Sequence, residues 1–243
     1  MITKRIIDEK GIDQTEDTVL VLGYFDGLHK GHQALFEKAR EIATEQGLKI
    51  AVLTFPESPK LAFVRYQPEL MLHLASPEDR MAQLESLGVD YLYLIDFTSH
   101  FAGNTARDFF EKYVSRLRAK AVVAGFDYHF GSDRKESHEL RDYFNGKIVI
   151  VPSVNLDNRK ISSTRIRETI AVGDMLKTQE LLGYPLSTRG IVVHGNARGR
   201  TIGYPTANLA PLDRVRLPGD GVYVADVEHN GQRYRGMASV GKN

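Results

Sequence analysis

The chain has 243 residues, 42% apolar and 26% charged, and a formal net charge of +1. That length can bury a sizeable core in one large or two modest domains, and a charge near zero gives no global reason to expect a nucleic-acid or membrane-surface partner. There is no cysteine, which excludes disulfides, thiolate-bound zinc and thiol catalysis. Residues 1–10 are charged and lack an apolar signal-peptide core. No apolar run approaches the length that spans a bilayer, so a soluble, cytoplasmic protein is expected. Composition sets no oligomeric state.

In chain order, residues 18–23 (TVLVLG) read as a buried strand ending in a turn. Residues 32–46 read as a helix, with Ala34, Leu35, Ala39 and Ile42 on one face and Gly47 as its stop. Residues 48–55 form a second strand. Ser76 caps a helix with Pro77 in its first position, running to Leu87 and stopping at Gly88. Residues 90–97 are a third strand, 105–118 a helix, 121–125 a fourth strand and 147–151 a fifth. Such strand–helix alternation implies an α/β fold with a Rossmann-like, doubly wound parallel sheet, whose ligands sit outside the carboxyl ends of the strands. Residues 162–182 read as one helical stretch closed by Gly183 and Pro185. Residues 188–193, 221–228 and 232–239 then alternate in an all-β region, so a domain boundary is expected near 184/185.

Three segments carry candidate chemistry. The first, Gly23-Tyr24-Phe25-Asp26-Gly27-Leu28-His29-Lys30-Gly31-His32, joins a strand to a helix. Gly27 and Gly31 allow close backbone approach. The opening helix turn offers free N–H groups and a positive dipole end suited to phosphate. His29 and His32 fall at that end, where imidazole N–H groups can stabilise charge developing at phosphorus. The plainer alternative is a buried turn with two structurally satisfied histidines. Zinc is a weak alternative without a third ligand.

The second segment, Arg159-Lys160-Ile161-Ser162-Ser163-Thr164-Arg165-Ile166-Arg167, places three hydroxyls among four basic residues at a helix start. Hydroxyls, first-turn amides and forked arginines can bind phosphate, or this is an ordinary capped helix with a solvated basic face. The third, residues 190–208, leads a strand into a loop containing Gly195, Arg198, Gly199, Arg200 and Gly203, then Pro205-Thr206-Ala207-Asn208. Glycines with two arginines suggest a phosphate-cradling loop. Thr206 and Asn208 offer oxygens suited to Mg²⁺, against the alternative of a Gly-rich hairpin.

The pair Gly23–His32 and Ile161–Arg167 resembles the two motifs of the bacterial bifunctional riboflavin kinase/FMN adenylyltransferases. Gly125-Phe126-Asp127-Tyr128-His129-Phe130-Gly131 and the Gly173-Asp174 and Leu181-Leu182-Gly183 pieces are similar too. The resemblance implies transfer of AMP from ATP to FMN, with His29 and His32 on the ATP phosphates. It further implies a nucleotide-binding set of Gly23, Phe25, Asp26, Gly31, Asp127, Arg159, Ser162, Ser163, Thr164 and Arg167. Residues 54–59 resemble a loop near the flavin, but Pro56 stands where the family has an acidic residue. Residues 203–208 resemble the riboflavin kinase signature, which implies a partial kinase-type β-barrel at 185–243 after a transferase domain at 1–184. Riboflavin, FMN and ATP are the implied substrates, with Mg²⁺. In the family the barrel continues beyond the point matching Asn243 and carries a general-base glutamate, so kinase turnover is expected to be lost, or restored by a partner. A different phosphate acceptor, or nucleotide binding without turnover, are the rival readings.

Overall fold

The structure is a computed structural model that describes residues 1–195, 203 and 205–241. One compact unit comprises Met1–Met71 and Pro77–Ser162. It holds β1 (Ile2–Ile6), β2 (Thr18–Leu22), α1 (Lys30–Gln46), β3 (Lys49–Thr54), α2 (Pro77–Ser86), β4 (Tyr91–Ile95), α3 (Ser99–Ala102), α4 (Ala106–Phe109) and β5 (Ala119–Gly125). A short pair follows, β6 (His129–Phe130) and β7 (Lys135–Glu136). Then come β8 (Lys147–Val151) and a second pair, β9 (Asn155–Leu156) and β10 (Arg159–Lys160).

Six strands form one sheet in the order β1-β4-β3-β2-β5-β8, with every neighbouring pair parallel. This is the expected Rossmann-like sheet. Strand order reverses at β2, with β3 on one side and β5 on the other. A crevice at such a reversal opens beyond the carboxyl ends of the strands, here at Leu22 and Gly125. Both sheet faces are covered. Leu20 and Leu22 pack with Phe109, Phe110 and Tyr113, whereas Val19 and Val21 pack with Leu35, Phe36 and Ile42 of α1 and Leu84 of α2. Burial on both faces is why β2 is an unbroken apolar run rather than an alternation. Each such side chain contributes about 1.5–3 kcal/mol.

One element is added and two local readings are corrected. The charged N-terminus supplies an edge strand, β1, parallel to β4. Its Arg5 pairs with Asp96 at 2.8 Å, a charge of the kind that protects a sheet edge. The helix expected over 105–118 starts at the Thr105 cap but widens to a π-helix over Phe110–Val114. The stretch 162–182 is two helices, α5 (Ser163–Ala171) and α6 (Met175–Leu182). Gly173 takes φ +75°, and the Asp174 carboxylate accepts from the Lys177 amide at 3.0 Å to start the second helix.

These two helices belong to the second compact unit, Leu72–Ser76 with Ser163–Asn243, so the units part ahead of residue 184. The helices are joined by the hydroxyls of Thr169 and Thr178 at 2.8 Å. The remaining strands, β11 (Gly190–Val193), β12 (Asn208–Pro211), β13 (Gly221–His229) and β14 (Gln232–Val240), form two antiparallel pairs consistent with a partial barrel. Asn230 and Gly231, both at positive φ, make the β13–β14 turn. Among the described residues no helix is long and apolar enough to cross a membrane.

Candidate active site

The chain leaves β2 through a turn whose backbone is unusual. Phe25 (φ +58°), Gly27 (φ +75°) and Leu28 (φ +37°) all lie in the left-handed region. Non-glycine residues hold such angles only when their surroundings over-determine them. Here the Phe25 and Leu28 side chains are fully buried anchors. Gly23 is required because a Cβ there would lie 2.7 Å from the Phe25 ring. A Cβ on Gly31 would press on the His29 ring at 3.1 Å and approach the Ile161 carbonyl at 3.6 Å.

His29 caps α1. Its Nδ1 accepts the His32 amide at 3.2 Å, which in the neutral ring leaves the proton on Nε2. The His32 ring stacks on it, with centroids 3.7 Å apart and planes 12° from parallel, and meets the Phe25 ring edge-on at 5.4 Å. Burial pushes the His29 pKa down to about 4, with Lys160 adding to the effect while Asp26 and Asp127 oppose it. Burial, then the neighbouring His29, Arg80 and Lys160 charges, hold His32 well below the ordinary histidine range. Both rings are therefore neutral at neutral pH, and any contact they offer an anion is that of a neutral imidazole rather than a cation. The Nδ1 of His32 is buried without a hydrogen-bond partner. The amides of Lys30 and Gly31 occupy the first turn of α1, where a helix leaves N–H groups without intrahelical acceptors.

The carboxyl end of β5 brings Phe126 and Asp127 toward the same charges. Asp127 pairs with Lys160, whose ammonium also sits 4.5 Å from the Phe126 ring centre. Asp26 is buried, whereas Asp127 and Arg159 are exposed and Ser162 is half-buried. Ser163, Thr164 and Arg167 open α5 in the second unit, directly following Ser162 in the chain. Lys160 was one of four basic residues in its segment, and the sequence did not separate it from them.

Two further features escaped sequence reading. Arg80 of α2 is buried and donates to the Phe55 carbonyl at 2.8 Å, to the Thr54 hydroxyl at 2.7 Å and to the Tyr24 carbonyl. No local signal distinguishes it from a solvated first-turn arginine. Beyond the ends of β3 and β4, Phe97 packs edge-to-face against Phe55 (5.3 Å), Phe63 (5.5 Å) and Phe101 (5.6 Å). Phe63 is largely exposed.

In the second unit, Arg198, Gly199 and Arg200 of the expected phosphate loop lie outside the described residues. Asn208 opens β12 paired with Val193, and its amide lies against Gly195, where a Cβ would approach it to 2.1 Å. Gly203 and Thr206 are exposed.

Residues 11–165 match the FAD synthetase family and residues 182–243 the riboflavin kinase family. The bifunctional riboflavin kinase/FMN adenylyltransferase of Listeria monocytogenes is 40% identical over 228 residues, covering 93% of this chain and 72% of that protein. The protein of the same name from Bacillus subtilis is 37% identical over 232 residues, covering 94% and 73%. A crystal structure described as a macrolide-efflux protein from Streptococcus pneumoniae matches with a TM-score of 0.96 at 55% identity, covering 100% of this chain and 80% of that one.

Proposed function

The chain belongs to the bifunctional riboflavin kinase/FMN adenylyltransferase family, and on that premise we propose that the site at the head of α1 transfers AMP from ATP to FMN. A phosphate oxygen of FMN attacks the α-phosphorus of ATP. The new O–P bond joins FMN to AMP as FAD, and the broken bond releases pyrophosphate. The observation that carries this reading is the stacked, neutral His29–His32 pair at a helix N-terminus, at the point where the sheet reverses its strand order. Phosphorus chemistry of this kind needs positioning and charge stabilisation rather than a side-chain nucleophile. The Nε2–H of His29 and the open amides of Lys30 and Gly31 supply donors for phosphate oxygens.

Gly23, Phe25, Asp26, Gly31, Asp127, Arg159, Ser162, Ser163, Thr164 and Arg167 are proposed as the remaining nucleotide-binding set. The Phe55, Phe63, Phe97 and Phe101 rings supply an apolar surface suited to a flat flavin ring. Residues 1–184 are proposed as the adenylyltransferase part and 185–243 as the kinase part. Among the described residues no cluster of three acidic or histidine side chains could cage a metal. Mg²⁺ commonly takes one or two protein oxygens plus substrate phosphates, and Thr206 and Asn208 are the oxygens proposed for it. When bound it would neutralise phosphate charge. A cytoplasmic location is proposed with the reaction, since ATP is its co-substrate.

The test is an assay with ATP and Mg²⁺, offering FMN in one arm and riboflavin in the other. FAD and pyrophosphate from FMN are the expected products. Their absence from the FMN arm sinks the transferase reading, and the riboflavin arm measures kinase turnover directly.

A further inference from the structure

Arg80 is an anomaly by charge. The residue is only 9% exposed. Burial disfavours its charge, while Tyr24, Asp26 and Glu57 attract it. Its hydrogen-bond acceptors are neutral groups that cluster where two strands end. Nη1 bonds the Phe55 carbonyl at 2.8 Å, and Nη2 bonds the Thr54 hydroxyl at 2.7 Å and the Tyr24 carbonyl. The Thr54 hydroxyl donates to that same Tyr24 carbonyl at 2.9 Å. The guanidinium also sits 5.2 Å from the Tyr24 ring centre, and its Nε is buried with no acceptor. Taking a guanidinium out of water is costly, so packing alone gives a poor reason to place an arginine here.

The placement has a use. Tyr24 is the second residue of the turn that carries His29 and His32, and Phe55 is the first residue beyond β3. One rigid fork therefore ties the exits of two adjacent strands together, with its donors committed to protein rather than to a ligand. We propose that Arg80 is a positioning residue of the transferase, fixing the Tyr24 backbone so that the turn holds the two histidines in register for the nucleotide phosphates. The proposal rests on the transferase reading.

The experiment uses the full chain. Arg80→Lys keeps the charge, but a single ammonium cannot span acceptors on two strand ends. Measured at a temperature where circular dichroism shows a folded protein, it is expected to lower kcat for FAD formation about tenfold or more. Misplacement of a catalytic group on the scale of an ångström has such consequences. ATP affinity by calorimetry is expected to stay within about threefold, because the loss falls on the transition state. A kcat loss smaller than fivefold, or an equal loss in kcat and ATP affinity, overturns the proposal. Should Arg80→Lys fail to fold, Thr54→Val decides instead. It removes one of the three tethers and is expected to lower kcat by at least about threefold, and an unchanged kcat overturns the proposal. Wild-type protein is the control: if it forms no FAD, the transferase reading itself has failed and this proposal falls with it.

Discussion

The two compact units solve the burial problem differently. In the first, β2 lies between β3 and β5 with helices over both faces, and Val19, Leu20 and Val21 are wholly inaccessible. In the second, among the described residues β13 pairs only with β14, and Val222, Val224 and Met237 are 70%, 72% and 85% exposed. The difference shows where chemistry can be preorganised. The strained turn after β2 keeps three left-handed residues because a dense core holds Phe25 and Leu28 in place. Among the described residues, none in β13 or β14 is buried.

The sharpest way to break this contrast is at the histidines. His29→Ala and His32→Ala are each expected to lower FAD formation by about 10²–10³, as removal of a preorganised donor does. His29 also caps α1, so His29→Asn, which can still accept the His32 amide, is expected to fold normally while remaining slow. Steady-state kinetics with thermal melts separates the two roles. If His29→Asn turns over like wild type, His29 is a cap and nothing more.

Core truncation should sort the units next. Leu20→Ala is expected to cost about 2–5 kcal/mol by denaturant unfolding. Val224→Ser, on the exposed hairpin, is expected to change stability by less than about 0.5 kcal/mol.

Acid provides an intermediate probe. The folded pKa of His29 is depressed to about 4 from an ordinary 6.5, so between those values the unfolded chain binds more protons. Stability from this residue is fully present above pH 6.5 and is lost as pH falls toward 4, amounting to about 3 kcal/mol at the lower end. His29→Asn should flatten that part of the stability profile. An unchanged acid slope would mean that the ring is not desolvated as described. Val224→Ser remains the smallest effect, and a large one there would show that the hairpin face is covered in solution.

Legibility in the sequence followed the range of the interactions. The strands β2, β3, β4, β5 and β8 were readable because burial on both faces demands continuous apolar runs, and α1 because its apolar face and Gly47 stop are local signals. The edge strand β1 was not readable, since its charged residues face partners such as Asp96 that are distant in the chain. The break at Gly173 was visible as a glycine beside an acid, but the apolar pattern continued past it and masked the second helix start.

The site divides in the same way. By itself the sequence determined the strand–turn–helix carrying two histidines, the basic Ser-Ser-Thr helix start and the family to which they point, because each is written in contiguous residues. Only the tertiary structure decided that the histidine rings stack and stay neutral, since that depends on desolvation by the surrounding core. It also selected Lys160 from four basic neighbours by pairing it with Asp127, and brought Arg80 from a distant helix to the ends of β2 and β3. Burial and long-range hydrogen bonding are properties of the folded chain, and no spacing of residues along the sequence encodes them directly.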